Sequence, residues 1–375
     1  MASSSVQGES SSVMSCDEII ESAAGGQRLS REDALELFAG GNLSALGLAA
    51  DRVCSRLHPG DIRTYVIDRN INYTNVCVSG CRFCAFYRSP DSPEAYVLTR
   101  DQVLAKVEEA VGLGATQILM QGGLHPDLPL SYYTDLLRAV KAGFAVHLHC
   151  FSPPEIVHIS RVSGLSVQET LVRLRDAGLD SLPGGGAEIL SDRVRRRVSP
   201  NKCSVDQWIA VMRAVAQLGM RATATMMLGH VESADDRVEH LLRVRDLQDE
   251  TSVFTAFIPW TYQPGNTALG GKSAGAYEYL KTLAISRLVL DNVPNAQASW
   301  VTQGLPIAQV ALRLGANDIG STMIEENVVA ATGLRFGASV QDLELNIRAA
   351  GFVPAQRDTM YGILRVPDAE ARVSA

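Results

Sequence analysis

Long apolar runs are missing from this 375-residue chain, and so is any surplus of basic charge. Although 46% of its residues are hydrophobic, no uninterrupted stretch approaches the roughly 20 residues that a helix needs to cross a bilayer. The leading MASSSVQGESSSVMSC has neither the basic n-region nor the apolar h-region of a secretory signal, and it predicts a disordered, serine-rich tail over residues 1–30. Both absences point to a soluble, cytoplasmic protein without membrane insertion, in a reducing compartment where clustered cysteines indicate a metal rather than disulfides. A net charge of −7 argues against nucleic acid as a partner. RVRRR, Arg193 to Arg197, is the one basic run and reads as a solvated helix face.

Cysteine is scarce but concentrated. Of seven cysteines, Cys77, Cys81 and Cys84 fall within CVSGCRFC, spaced C-x3-C-x2-C. What is lacking is a fourth ligand. A structural zinc site closes with four, often as two paired halves, and no second half occurs here. Cys54, Cys150 and Cys203 are isolated and read as buried or incidental thiols. His125 or His149 would complete a zinc site in principle, whereas three thiolates on a [4Fe–4S] cube leave one iron open to a small molecule.

Around this motif, short apolar runs alternate with amphipathic stretches. After a helical N-terminal extension over 31–63, strands are predicted at TYVIDRNIN (64–72), TQILMQGG (116–123), AVHLHCF (145–151), SLPGG (181–185), RATATMML (221–228), SVFTAFIP (252–259), NAQASWV (295–301) and ANDIGS (316–321). Helices such as TRDQVLAKVEEAVGLG, capped by Thr99, and SVDQWIAVMRAVAQLG, starting near Ser204, lie between them. Eight β/α units predict an α/β fold, a (β/α)8 TIM-type barrel over 64–335. A C-terminal extension over 336–375 is expected to pack on it, its last residues disordered. An open doubly wound sheet is the alternative, because periodicity does not show closure. In a barrel, chemistry belongs at the C-terminal strand ends, where the triad, Gln121-Gly122-Gly123, Ser152, the Gly184–Gly186 run, Gly229-His230 and Pro259-Trp260 all fall.

C-x3-C-x2-C with Phe83 before its last cysteine resembles the signature of the radical S-adenosylmethionine (SAM) superfamily. Further blocks, INYTNVCVSGCRFCAFYR, QGGLHPDLP, SPPEI, LPGGGAEIL, FIPWTYQP, GANDIGSTMIEENVV and AGFVPAQRDTMY, together resemble the cyclic dehypoxanthinyl futalosine synthase family of the futalosine route to menaquinone. The resemblance spans roughly residues 30–365. It implies a [4Fe–4S] cluster on Cys77, Cys81 and Cys84 and SAM on its open iron. It also implies ring closure of dehypoxanthine futalosine, through hydrogen abstraction at sugar C4′, addition to the benzoate ring, and loss of a proton and an electron. An electron donor such as flavodoxin or ferredoxin is implied as partner.

By the same resemblance, the backbone of Gln121, Gly122 and Gly123 would meet the methionine end of SAM. Phe83, Ser152, Gly185, Glu188 and Ile258 would complete the cofactor site, although Glu188 also suits a helix N-terminus. Arg88 would pair with the benzoate carboxylate, or instead only shield or orient the cluster loop. His125, then His147, are the preferred histidines for a base or donor. Asn317 and Asp318 would bind substrate hydroxyls, with Asp318 a second candidate base, or form an Asx turn into a helix over STMIEENVV. Sister enzymes with this barrel, aminofutalosine synthase and the FO-forming enzymes, are the alternatives within the superfamily. A noncatalytic metal-binding scaffold is the alternative outside it.

Overall fold

The computed structural model describes residues 14–367. The first predicted strand is two pieces, β1 (Ile62–Val66) and β2 (Asp68–Ile71), separated only by Ile67. β2 opens a seven-stranded sheet that runs in chain order through β3 (Gln117–Met120), β4 (His147–Cys150), β5 (Ser181–Leu182), β6 (Arg221–Leu228), β7 (Phe254–Thr261) and β8 (Asn295–Ala296). Every neighbouring pair in it is parallel. β9 (Asp318–Ser321) pairs in parallel with β1, and it is joined to the β8 side by the Gln297–Asp318 bridge and by the Ala298 N–H donating to the Asp318 carbonyl at 2.8 Å. Because β1 leads straight into β2, the pairing is continuous around eight staves, and the sheet is a closed barrel rather than an open one.

The outer helices form where the periodicity predicts them. Thr99 and Gln102 make a reciprocal capping box ahead of helix Arg100–Gly112, and Ser204 and Gln207 do the same for helix Val205–Gln217. In the first of these, Val103, Val107 and Ala110 share one buried face. Inside the barrel the alternation on strand 1 runs against the usual sense. Tyr65, Ile67 and Ile71 pack into the hydrophobic core, while Asp68, Asn70 and Asn72 turn into a central cavity.

Four expectations are corrected. The tail assigned to 1–30 holds a helix, Cys16–Ala24, started by a Ser15–Glu18 capping box and buried through Ile19, Ile20 and Ala23; residues 1–13 lie outside the described ones. STMIEENVV is not helical, because the Glu326 carboxylate accepts the Val328, Val329 and Ala330 N–H groups and folds it into an irregular turn ahead of a short 3-10 turn, Ala330–Thr332. RVRRR is only partly solvated: Arg195 is buried and donates to the Gly186, Ala187 and Cys203 carbonyls.

The C-terminal extension does more than pack on the barrel. β10 (Val353–Arg357) joins β1 in parallel, from Ile62–Val353 to Tyr65–Gln356, and β11 (Ile363–Arg365) turns back against it. Beyond β10, Thr359 and Tyr361 enter the lower end of the barrel and line its cavity. The last eight residues lie outside the described ones.

Candidate active site

One cavity of about 420 Å³ occupies the barrel interior. Its upper rim is built from loops at the C-terminal strand ends, and the loop after β2 carries the three cysteines. Backbone bonds fold that loop: the Cys77 N–H donates to the Arg88 carbonyl at 3.0 Å, the Arg88 N–H to the Asn75 carbonyl at 2.7 Å, and the Cys84 N–H to the Cys81 carbonyl at 3.1 Å. Cys77, Cys81 and Cys84 all line the cavity. Burial pushes the Cys81 thiol up and the Cys84 thiol up to about 11. Such thiols stay protonated on their own, so a bound cation is what would ionise them. Among the described residues no three His, Cys, Asp or Glu side chains are gathered to hold a single metal ion. A cube, whose thiolates each bind a different iron, fits this wider triad better than a zinc ion does.

The turn after β3 lies directly against the cysteine loop. A Cβ on Gly123 would sit 2.1 Å from the Val76 carbonyl oxygen, and one on Gly122 would sit 2.5 Å from the Tyr73 ring, so only glycine lets the two loops meet. Glu155 locks this turn to the next one. Its carboxylate accepts the Gly122 N–H at 2.9 Å, the Tyr73 hydroxyl at 2.8 Å, and the Ser152 N–H and hydroxyl at 2.7 and 2.6 Å. Glu155 is thereby saturated, while Gly122, Gly123 and Ser152 are held at the rim.

Across the mouth, Glu188 adopts a left-handed backbone with φ of 40° and accepts from Lys202 Nζ at 2.6 Å. The Glu188 side chain is buried and that of Lys202 is mostly covered. Burial alone would lower the Lys202 ammonium, but Cys81 and Glu188 outweigh it and hold it above its ordinary value. The same ammonium lies 5.2 Å from the Phe83 ring centroid, so one cation joins the cysteine loop to the Glu188 turn. Ile258 and Trp260 from β7 supply apolar wall.

The lower end is polar. Asp68 and Gln117 are the first residues of β2 and β3, His149 comes from the later half of β4, and Arg357, Thr359 and Tyr361 from the C-terminal segment. Arg357 is fixed by Asp318 through Nε to Oδ2 at 2.5 Å and Nη2 to Oδ1 at 3.0 Å, a two-pronged buried pair. Burial, aided by His147 and Arg357, pushes His149 down to about 3, and its Nδ1 faces the Ser181 hydroxyl at 2.6 Å. Burial also pushes the Asp68 carboxyl up to about 6.

The cavity thus brings together the triad with Phe83, Gln121, Gly122, Gly123, Ser152, Gly185, Glu188 and Ile258. Five other candidates lie off it and are corrected. Arg88 ties the cysteine loop from behind, donating to the Ala85, Phe86 and Tyr87 carbonyls and pairing with Glu94 at 2.5 Å. His125 accepts the Asp127 N–H at its Nδ1, and its carbonyl faces His158. His147 pairs with the Ser181 hydroxyl at the foot of β4, leaving the cavity position to His149. Asn317 is consumed by Asn295, Ala296 and Arg287, and Asp318 by Arg357, Thr64 and the Gly320 N–H. Asp68 and Lys202 were not singled out from sequence. Polar residues at every second position of DRN-IN were the available signal for Asp68, because they leave a polar face inside a barrel.

The radical SAM superfamily model matches residues 71–244, and a model described as the CofH/MqnC C-terminal region matches 251–370. A cyclic dehypoxanthine futalosine synthase of Halalkalibacterium halodurans is 51% identical over 94% of this chain and 96% of its own length. A protein of Methanococcoides burtonii named 5-amino-6-(D-ribitylamino)uracil--L-tyrosine 4-hydroxyphenyl transferase is 40% identical over 93% of this chain and 99% of its own. Among solved structures, methylornithine synthase superposes with a TM-score of 0.71 over 94% of this chain and 99% of its own, at 17% identity, a likeness of fold.

Proposed function

This chain belongs to the radical SAM superfamily, in the family of the cyclic dehypoxanthine futalosine synthases, and we propose that it closes the ring of dehypoxanthine futalosine for menaquinone synthesis. It is an enzyme. The observation that carries the reading is the placement of the cysteine triad and the glycine turn on the rim of one deep cavity with a polar lower end. The residues present fit the family's cofactors: three thiols opening into a cavity, with no fourth ligand gathered beside them among the described residues, next to a turn that only glycine can form.

Cys77, Cys81 and Cys84 would hold the [4Fe–4S] cluster. Gly122, Gly123 and Ser152 would receive the methionine end of SAM, and Phe83, Glu188 and Ile258 its nucleoside. When bound, these groups supply a 5′-deoxyadenosyl radical, which accepts a hydrogen atom from substrate. The chain's own residues do the rest. The apolar wall around Ile258 and Trp260 excludes water from the reacting carbons. Asn70, on the inward face of β2, offers its amide to the sugar hydroxyls, its Oδ1 being without a hydrogen-bond partner among the described residues, while Asn72 is tied to the Gln121 carbonyl and to Asn327. Substrate extends downward, because the rim belongs to the cofactors. Its benzoate ring then lies among the groups of the lower end. We place the protein in the cytoplasm, with a flavodoxin or ferredoxin as electron donor; no helix of the described residues is long and apolar enough to cross a membrane.

Anaerobic incubation with SAM, reductant and dehypoxanthine futalosine, followed by mass spectrometry, tests the reading. A product two hydrogens lighter than substrate, together with deoxyadenosine, is expected. The 40% identity to the hydroxyphenyl transferase motivates the second reading. Turnover of tyrosine with the ribitylaminouracil, and none of dehypoxanthine futalosine, would select it.

A further inference from the structure

Ring closure requires a proton acceptor, and among the described residues the lower end of the cavity holds a carboxylate with one oxygen that makes no well-formed hydrogen bond. We propose that Asp68 takes the proton released from the benzoate ring after the new carbon–carbon bond has formed. The inference rests on the cyclase reading above and assigns a residue to its last chemical step.

The geometry begins with strand 1. Asp68, Asn70 and Asn72 share its inward face, so Asp68 lies about 13 Å along the strand from Asn72, on the side away from the cysteine loop. Cofactors at the rim place the sugar carbon in the upper cavity, and the ring that bonds to this carbon comes next below. Asp68 meets that level from the wall. It is 2% exposed, and its Oδ2 accepts from Gln117 Nε2 at 2.7 Å. The other oxygen, Oδ1, is buried without a well-formed hydrogen bond among the described residues, and the Ser321 side chain, hydrogen-bonding the carboxylate, works with Gln117 against burial to lower its pKa. A buried, unpaired carboxylate oxygen is costly to keep unless something fills the place.

The other ionisable groups on the cavity wall are committed. Glu155 accepts four hydrogen bonds, Glu188 is paired with Lys202, and Glu326 caps the turn at 328–330. His149, pushed down to about 3, is too weak a base, and burial pushes the Tyr361 hydroxyl above its ordinary range. The groups that face Asp68 are Arg357 from β10 and Asp318 from β9, which neutralise one another, with neutral His149 from β4 and Tyr361 from beyond β10. An acceptor titrating near 6 is a carboxylate at neutral pH and still holds a proton well, which suits a general base.

The step balances. Addition of the sugar carbon radical leaves the ring as a cyclohexadienyl radical. The C–H bond at the attacked ring position breaks heterolytically: its proton goes to Asp68 Oδ1, and its electron pair stays in the ring and restores aromaticity. The surplus electron leaves to a one-electron acceptor of the iron–sulfur class, one electron out for the one that started the turnover.

The test is Asp68→Asn, which keeps size and the Gln117 contact but removes the acceptor. Cyclised product should form about 10²–10⁴-fold more slowly. Deoxyadenosine should still appear, so the ratio of product to deoxyadenosine falls. Substrate deuterated at the ring carbon that loses its proton should slow the variant but not the parent. In the parent, product formation should decline as pH falls through about 6, and in the variant this limb should be absent. Asp68→Ala supplemented with formate provides the second arm, in which restored product formation supports the assignment. Unchanged product rate and ratio in Asp68→Asn would overturn it, as would failure of formate to rescue a variant whose cluster absorbance is intact. Loss of the cluster spectrum in both variants would make Asp68 a structural group and overturn it too. If the parent itself makes no cyclised product, the functional reading fails and not this residue assignment.

Discussion

The rim and the floor of the same cavity are built by opposite strategies. The rim is local: three cysteines within eight residues, glycines at turn positions, and a Glu155 carboxylate that knits two adjacent loops. The floor is assembled from the first and last strands of the barrel and the C-terminal segment, with Arg357 of β10 clamped on Asp318 of β9. The rim, where the proposal seats the cofactors, is carried by loops, and the floor beneath it is held by long-range pairing. A change at the rim should therefore remove activity and spare the fold, whereas a change at the Arg357–Asp318 clamp should cost the fold first.

The largest effect is expected from Cys77→Ala, Cys81→Ala or Cys84→Ala. Each should abolish the cluster's visible absorbance and lower turnover by more than about 10³-fold, since without the cluster the reaction has no radical source. Urea midpoints of the metal-free proteins should stay close to that of the metal-free parent. Cys203→Ser, at a buried cysteine off the cavity, should keep both absorbance and turnover. A triad variant that still turned over would remove the basis of the rim assignment.

Arg357→Met comes next and probes the floor. The guanidinium is buried, paired with Asp318, and stacked 4.0 Å from the Tyr361 ring centroid. Removing it strands the Asp318 carboxylate, and breaking a buried pair from one side costs about 3–5 kcal/mol. Urea denaturation measures this, and a loss under about 1 kcal/mol would mean that the C-terminal segment is not a structural floor.

How much could be read beforehand follows the same division. Thr99 and Ser204 announce their helices because a cap and its partner lie three residues apart, and the cysteine triad announces its chemistry for a similar reason. Eight alternating units foretell the barrel, and the strand over 221–228 forms as predicted. By contrast, β10 is read only as an extension, since nothing local says that residues 353–357 will pair with residues 62–65. Asp318 looks like a base in sequence because its consumer, Arg357, is 39 positions away. His147 and His149 are equivalent by alternation and share the Ser181 hydroxyl; only the position along β4 separates them, His149 reaching the cavity from the later half of the strand.

A third, smaller effect concerns the support behind the rim. His240 is buried, its Nδ1 accepts the Leu190 N–H at 3.0 Å, and burial, assisted by Arg195 and Arg243, pushes it down to about 3 from an ordinary 6.5. Because the folded value lies below the unfolded one, the unfolded chain takes up the proton first as pH falls. This site's contribution is therefore complete above about 6.5 and is lost on acidification toward 3. His240→Asn keeps an acceptor for Leu190 without a titrating ring. Between pH 6 and 4, the difference in stability between parent and variant should change by about 1.4 kcal/mol per pH unit, the slope of one proton. Parallel stability curves in urea would show that His240 titrates as in the unfolded chain.

The smallest effects should come from the residues that sequence favours and the cavity omits. Arg88→Lys exchanges a fork of donors that ties three carbonyls and Glu94 for a single ammonium. Its loop is also held by the backbone bonds at Cys77 and Cys84, so the expected loss is about 1 kcal/mol in stability and a few-fold in the amount of cluster retained. His125→Ala removes an acceptor for the Asp127 N–H in a half-buried turn that water can reach. Its product yield per deoxyadenosine should match the parent's, because the His125 side chain does not line the cavity and lies off the proton path. If yield per deoxyadenosine fell in His125→Ala and held in Asp68→Asn, the proton would leave from the rim, and the division between a rim that makes radicals and a floor that completes the ring would be reversed.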